Sequence, residues 1–452
     1  MKPSQQELTI LRMGQNGEGV AALDDGRVAF VSGALPGEQV TAEVTEVRKN
    51  FVRARTLRRH TSSPDREIPL CPVFESCGGC AFQHWAYASE LKYKESRIKE
   101  SLKRIGHFDQ VAIAPIIGAQ HPYNYRNKGQ FPWAIGPDGR AMLGLFARGS
   151  HQVVEVQECA IQDGLTNRVL AAASKIANRM VLPVYQETAD AGVLRHLLVR
   201  SSKDGKRALA ALVVRRWDAR VVAMAQHLME AVPQLVGVVA NLNPRQTNVV
   251  LGRETIPLAG ESSLVDEILG QRFRLSASTF FQVNPEQVEP LYRTVQNAIQ
   301  PGTARVWDLY AGVGTLACLV APQVESVWAV EVNPESVDAA RANAQLNGLK
   351  NLAVEAMPVE MALRKIHSSA PQPDAVIVDP PRSGLRQETL EGLVGLKARQ
   401  MIYVSCNPNT LARDLEKLHD GGYRIEGVQP VDMFPRTDHV ESVTVLRLPP
   451  LA

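Results

Sequence analysis

Two short segments carry reactive side chains where an apolar run stops. Val376-Ile377-Val378-Asp379-Pro380-Pro381-Arg382 delivers an acid, and Val404-Ser405-Cys406-Asn407-Pro408-Asn409-Thr410 delivers a thiol. Both end in residues that cannot continue a strand, so each reads as the carboxyl end of a strand opening into a loop, where open α/β sheets place their sites. A lone cysteine there is either a small buried apolar residue or a thiolate aimed at an electrophilic carbon. Upstream, Arg305-Val306-Trp307-Asp308-Leu309-Tyr310-Ala311-Gly312-Val313-Gly314-Thr315-Leu316 reads as strand, glycine loop and helix start. The glycines let the backbone approach a ligand, and the helix N-terminus offers free N–H groups. The pattern is neither G-x-G-x-x-G nor a P-loop. The next strand, 326–330, ends in Glu331, where an acid can bind ribose hydroxyls. A glycine loop after strand one, an acid ending strand two and D-P-P after strand four point to S-adenosylmethionine. D-P-P in this position could serve an exocyclic amine, but Cys406 argues for attack on a ring carbon.

The elements that must position these groups occupy the C-terminal part of the chain. Phe280-Phe281-Gln282-Val283-Asn284-Pro285 precedes a helix expected from Gln287 to about Ile299, and a further helix is expected over 334–347. Strands are expected at 352–355 and 440–446, the latter preceded by Arg436-Thr437-Asp438-His439. With 452 residues the chain exceeds one ordinary core, so two to four domains are expected. It is 45% hydrophobic and 21% charged, the profile of a globular protein. Its net charge of +3 leaves any nucleic-acid affinity to local patches. No N-terminal apolar leader core and no apolar run of membrane-spanning length stands out, so a cytoplasmic, membrane-free setting is the expectation.

Residues 7–58 alternate with the strand period and are broken by glycines and by Asp24-Asp25-Gly26, a hairpin signal, which suggests a small barrel. Its last part carries Arg48, Lys49, Arg53, Arg55, Arg58 and Arg59, either a solvated face or a phosphate-contacting rim. A charged helix is expected over 89–105. Tyr123-Asn124-Tyr125-Arg126-Asn127-Lys128 interleaves aromatics with bases, suited to an RNA strand or to an ordinary strand edge. From about 129 to 252 strands alternate with two helices, 165–179 and 219–231, as in an α+β body.

The six cysteines are not a disulfide framework: Cys71, Cys77 and Cys80 crowd together, while Cys159, Cys318 and Cys406 stand apart. C-x5-C-x2-C lacks one ligand for a four-thiolate site, and Cys159 is the spare cysteine before the C-terminal half. Zinc and a 4Fe–4S cluster both accept four thiolates. A single Cys-x2-Cys pair with two outliers favours the cluster. Gly78-Gly79 would let the backbone wrap closely around it. His84 and His439 read as hydrogen-bonded structural histidines, and Cys318 as core.

The combined motifs resemble the RNA uracil-5-methyltransferase family over nearly the whole chain. They are F-F-Q-V-N at 280–284, D-L-Y-A-G-V-G-T at 308–315, V-D-P-P-R at 378–382, S-C-N-P at 405–408 and D-H-V-E at 438–441. Residues 1–60 resemble the TRAM domain, an OB-like barrel used on RNA. The resemblance implies a multi-domain fold: that barrel, a central α+β domain over 61–265 with the iron–sulfur site, and a Rossmann-like α/β methyltransferase domain over 266–452. The helix near 90–120 would pack on the last. Gln282, Tyr310, Thr315, Glu331 and Asp379 would contact S-adenosylmethionine; Cys406 would be the nucleophile and Glu441 the base; Cys71, Cys77, Cys80 and Cys159 would hold the cluster. Glu355-Ala356-Met357-Pro358-Val359 departs from the family, which more often has a polar residue near the adenine, so that contact is unassigned. The implied reaction is methylation at C5 of a uridine in 23S ribosomal RNA by a monomer without an obligate protein partner. The same chemistry on transfer RNA is the alternative, and a non-catalytic iron–sulfur RNA-binding module is the rival of another class.

The chemistry itself demands such residues. Uracil C5 is a poor nucleophile until a thiolate adds at C6, and the extra proton on C5 must then be removed before the thiolate leaves. The base should sit in an apolar pocket that raises its proton affinity. The target nucleotide must leave its stack, at a cost of roughly a few kcal/mol.

Overall fold

The computed structural model describes residues 5–365 and 372–450. The chain forms two compact units: Met1–Lys94 with Leu145–Val154 and Phe434–Asp438, and Glu95–Gly144 with Glu155–Met433 and His439–Ala452.

In the first unit a six-stranded sheet runs in the order Gln5–Thr9, Gln39–Val47, Phe51–Thr61, Val28–Ser32, Gly19–Ala22, Arg12–Met13. Alternate residues Val40, Ala42, Val52, Ala54, Ala29 and Val31 share one core, as the period-two pattern requires. The Asp24-Asp25-Gly26 turn joins strands paired Ala22↔Val28, with Gly26 at φ 84°. The arginines of this sheet are not free: Arg48 meets Glu46 at 2.6 Å, Arg53 meets Glu18 at 2.6 Å, Arg55 meets Glu43 at 2.8 Å and Arg59 meets Glu38 at 3.2 Å.

The second unit holds two larger sheets. One runs Glu254–Gly260, Leu235–Leu242, Ala208–Val214, Leu194–Ser201, Lys128–Ile135, Ala141–Phe146. Helices Gly164–Arg179 and Arg220–Ala231 bury Leu165, Val169, Ala173, Val221, Met224 and Leu228. A hairpin the sequence reading passed over, Leu264–Ile268 with Gln271–Leu275, turns through Leu269 and Gly270, both at positive φ.

The other sheet runs Leu352–Ala356, Ser326–Glu331, Arg305–Leu309, Ala375–Val378, Gln400–Ser405, Glu441–Arg447, Arg424–Val431. Its first five strands are parallel and the last two pairings antiparallel. The parallel strands are apolar and buried on both faces, as helix-covered strands must be. The edge strand Arg424–Val431 escaped the sequence reading because Glu426, Gly427 and Pro430 interrupt its pattern and a register shift falls at Ile425/Gly427. Its outer edge is not left bare: Ile113 bridges Val428 and Ile117 bridges Val431.

Three helices that leave the site start alike. Asn284-Pro285, Asn333-Pro334 and Asn407-Pro408 each place an Asn at the N-cap, its side chain accepting an N–H of the first turn, and a Pro at the first helical position. The first helix of the chain, Tyr87–Arg104, sends Ile98 and Leu102 into the core formed by Trp307, Leu309, Val376, Val378 and Tyr403. Among the described residues no helix is long and apolar enough to cross a membrane.

Candidate active site

The register of two strands brings the thiol and the proposed base together. Ser405 pairs with Ser442 across the antiparallel ladder, so Cys406, one residue on, faces Glu441, one residue back. The third reactive loop is tied to them. The Asn407 amide donates to the Arg382 carbonyl at 3.0 Å, Thr410 Oγ1 to the same carbonyl at 3.3 Å, and Arg382 Nη2 contacts His439 Nε2 at 3.0 Å. One arginine therefore links the loops after three strands.

The site is electrostatically tense. Glu441 is 4% exposed. Burial, then the nearby Asp379 carboxylate, push it up to about 8, with Arg382 opposing. Burial lifts Asp379 to about 7 and Asp308 to about 8, and Asp379 adds to the latter. Burial lifts the Cys406 thiol to about 11, with Glu441 and Asp379 adding and Arg382 lowering it. Tyr292, also buried, stands against Asp379, Glu441, Asp308 and Thr315. Several acids in a poorly solvated place favour either protons or a cationic ligand.

The cofactor candidates lie on the same sheet. Tyr310, directly after its strand, has φ 67°, a conformation that costs a bulky residue energy and turns the chain sharply out of the sheet. Gly314 has φ 76° and lies so close to Ala340 that an added Cβ would stand 3.0 Å from the Ala340 Cβ. Glu331 holds the loop from the next strand: its Oε2 accepts from the Gly312 N–H at 3.0 Å and its Oε1 from the Asn333 N–H at 2.8 Å. Thr315 is buried at the helix start. The Gln282 Oε1 and the Asp308 Oδ1 are buried without a hydrogen-bond partner, polar atoms that a ligand would satisfy. Met357, in the segment left without an assignment, is packed in the core beside Val330 and Leu363.

Sequence reasoning missed three groups. Asp308 was read only as part of a strand, although Ala317 N–H donates to it at 2.9 Å from the helix start. Arg382 was read only as a motif letter. Arg200, fully buried, donates to the Thr279 carbonyl at 2.6 Å, and Lys128 reaches the same carbonyl at 3.3 Å. With Asn127 N–H on the Val283 carbonyl at 2.9 Å, these fix the loop that carries Gln282. The aromatic-and-basic run at 123–128 was the one available signal.

Cys71, Cys77 and Cys80 are all buried on one turn of the first unit. Gly79 N–H donates to the Cys77 sulfur at 3.4 Å and the Gln83 amide to the Cys80 sulfur at 3.2 Å. Gly78 must be glycine, since a Cβ would lie 2.9 Å from the Phe146 carbonyl oxygen. Cys159 is buried in the second unit, its N–H on Asn167 Oδ1 at 2.9 Å. Among the described residues no group of three or more His, Cys, Asp or Glu side chains is arranged to hold a metal ion. His84 differs from expectation: it is 3% exposed with neither ring nitrogen hydrogen-bonded, and burial drives it down to about 3. Cys318 is buried, as expected.

A family model described as tRNA (uracil-5-)-methyltransferase matches residues 87–448, and a TRAM domain model matches residues 1–57. An uncharacterized RNA methyltransferase of Halalkalibacterium halodurans is 38% identical over 445 residues, 98% of this chain and 96% of its own. One from Caldanaerobacter subterraneus is 39% identical over 444 residues, 97% of each chain. The crystal structure of Pyrococcus abyssi tRNA (uracil-54, C5)-methyltransferase in complex with S-adenosyl-L-homocysteine is similar with TM-score 0.78 and 24% identity, over 98% of this chain and 100% of that one. That likeness is one of fold, an S-adenosylmethionine-dependent methyltransferase fold preceded by a TRAM domain. An enzyme family excludes the non-catalytic module weighed from sequence: the chain belongs to the RNA (uracil-5-)-methyltransferase family.

Proposed function

We propose that this enzyme methylates C5 of a uridine in 23S ribosomal RNA, with Cys406 as nucleophile, Glu441 as base and Gln282, Tyr310, Thr315, Glu331 and Asp379 around S-adenosylmethionine. The observation that carries the assignment of roles is the strand register that sets Cys406 opposite Glu441. The unpartnered Gln282 and Asp308 oxygens and the acidic, buried surroundings fit a sulfonium ligand. When bound, that cofactor supplies an electrophilic methyl group.

The chain's own residues do the rest. Arg382, the cationic neighbour of Cys406, favours its thiolate. The sulfur forms a bond to uracil C6, and the C5–C6 π electrons become available at C5 for the methyl carbon, which leaves its sulfonium. Glu441 then takes the C5 proton. The C5–H electrons rebuild the C5–C6 double bond as the sulfur–C6 bond breaks and the thiolate departs. The high proton affinity of Glu441 suits a group that must hold that proton.

The ribosomal target and a 4Fe–4S cluster on Cys71, Cys77, Cys80 and Cys159 belong together in this reading, with a monomeric, cytoplasmic enzyme. Three buried thiols on one turn, two of them accepting N–H bonds, are the donor chemistry that such a cluster takes. The reaction moves no electrons, so the cluster's role would be structural. Transfer RNA is the second reading, favoured by the wording of the matching family.

Labelled methyl transfer from S-adenosylmethionine to unmodified 23S ribosomal RNA and to transfer RNA, with Cys406→Ala in parallel, tests all of this. Incorporation into ribosomal RNA alone, lost in the variant, is expected. Incorporation into transfer RNA alone overturns the substrate and keeps the mechanism. Zinc rather than iron in anaerobically prepared protein overturns the cluster.

A further inference from the structure

Glu441 lies three residues beyond Phe434–Asp438, a pentapeptide that belongs to the first unit rather than to the sheet it leads into. That pentapeptide is gripped from several sides. Arg436 is 4% exposed and has φ 66°. Its N–H donates to Glu90 Oε1 at 2.8 Å, and its Nη1 donates to the Trp85 carbonyl at 2.7 Å. Its guanidinium also faces Glu90 at 3.8 Å and Glu67 at 3.6 Å, and lies over the Tyr87 ring at 5.3 Å. Its carbonyl accepts from both the Ala81 N–H at 2.8 Å and the Phe82 N–H at 3.1 Å. Lys94 completes the network: fully buried, it pairs with Glu90 at 2.6 Å and donates to the Phe434 carbonyl at 3.1 Å.

Buried ion networks are poor sources of stability, because the desolvation they cost offsets most of their Coulomb gain. What they do provide is one geometry. Here the geometry concerns a positive-φ residue whose N–H, carbonyl and guanidinium are all engaged. The Ala81 and Phe82 amides follow Cys80 directly in the chain, so the cysteine turn is itself one jaw of the grip. The constraint reaches Glu441 along the covalent chain through Thr437, Asp438, His439 and Val440.

We propose that Arg436 and Glu90 are positioning residues for the proton-abstraction step, holding the leader of the strand that presents Glu441. This rests on the reading of Glu441 as the base. A misplacement of about 1 Å costs on the order of a hundredfold in rate. Arg436→Gln should therefore lower kcat by about 10- to 100-fold while leaving the KM for S-adenosylmethionine unchanged.

The discriminating readout is the covalent intermediate. Enzyme and whichever unmodified RNA the wild type methylates are mixed, and protein–RNA adduct surviving denaturing electrophoresis is quantified beside Glu441→Gln. Adduct should accumulate in both variants, because thiol addition and methylation precede the impaired step, and Arg436→Lys should recover part of the turnover. The double variant Glu90→Gln/Lys94→Met, which removes the buried pair together, should behave like Arg436→Gln and serves if the latter does not fold. Adduct in Glu441→Gln but in neither brace variant overturns the positioning role alone. No adduct in Glu441→Gln overturns the base assignment and this proposal with it.

Discussion

Replacing Glu441 by Gln should stop turnover and, at the same time, stabilise the protein in a pH-dependent way. Folding moves this carboxyl from its ordinary value of 4.5 up to about 8, chiefly by burial. An acid whose folded value is raised is neutral in both states below 4.5, so it costs nothing there. Stability is lost as pH rises from 4.5 through 8, because the unfolded chain ionises freely and the folded one resists. One pKa unit is worth about 1.4 kcal/mol. At pH 6 the penalty spans 1.5 units above 4.5, about 2 kcal/mol; above pH 8 it reaches the full 3.5 units, about 5 kcal/mol. A neutral amide of the same shape escapes it. The gain of Glu441→Gln over wild type, measured as the shift of the denaturant midpoint, should therefore grow by about 3 kcal/mol between pH 6 and pH 9. Asp379, the second cause of the shift, keeps its own charge in the variant, so these figures are ceilings. The same preparation should retain methylated RNA as a denaturation-stable adduct. A stability difference that is flat across pH would refute the buried-carboxyl account, and full turnover would refute the role.

The remaining expectations follow from other parts of the molecule. Cys406→Ala should abolish methyl transfer and adduct formation yet bind S-adenosylhomocysteine with nearly wild-type affinity in calorimetry, since the thiol faces the base and not the glycine loop. Gly314→Val forces a branched side chain into φ 76° with its Cβ 3.0 Å from the Ala340 Cβ. It should weaken the same ligand at least about tenfold, the equivalent of about 1.4 kcal/mol. Ile98→Ala, at a fully buried site beneath Trp307 and Tyr403, should cost about 2–5 kcal/mol in denaturant unfolding. Cys77→Ser should lower the iron and sulfide content of anaerobically purified protein, whatever its activity.

Much of the site was legible in the sequence because its signals are local. A strand's end, a glycine that must take positive φ, and an Asn-Pro that starts a helix are each decided within a few residues. The glycine loop at 312–314, the acid Glu331 and the helices after Asn284, Asn333 and Asn407 could thus be read in order. Motif spacing likewise singled out Cys406 and Asp379. Tertiary structure decided what depends on partners far along the chain. The facing of Cys406 and Glu441 comes from the pairing of two strands 35 residues apart, 406 against 441, and no local pattern encodes register. The raised proton affinities of Glu441, Asp379 and Asp308 come from burial and mutual repulsion, which exist only once the sheet has assembled. The edge strand at 424–431 was hidden by its own bulge and proline. The arginines of the first sheet looked like a free basic run until their carboxylate partners on neighbouring strands came into view. Sequence fixes which groups are available and where the chain must turn; only the folded chain decides which of them share a low-dielectric space, and it is there that their chemistry changes.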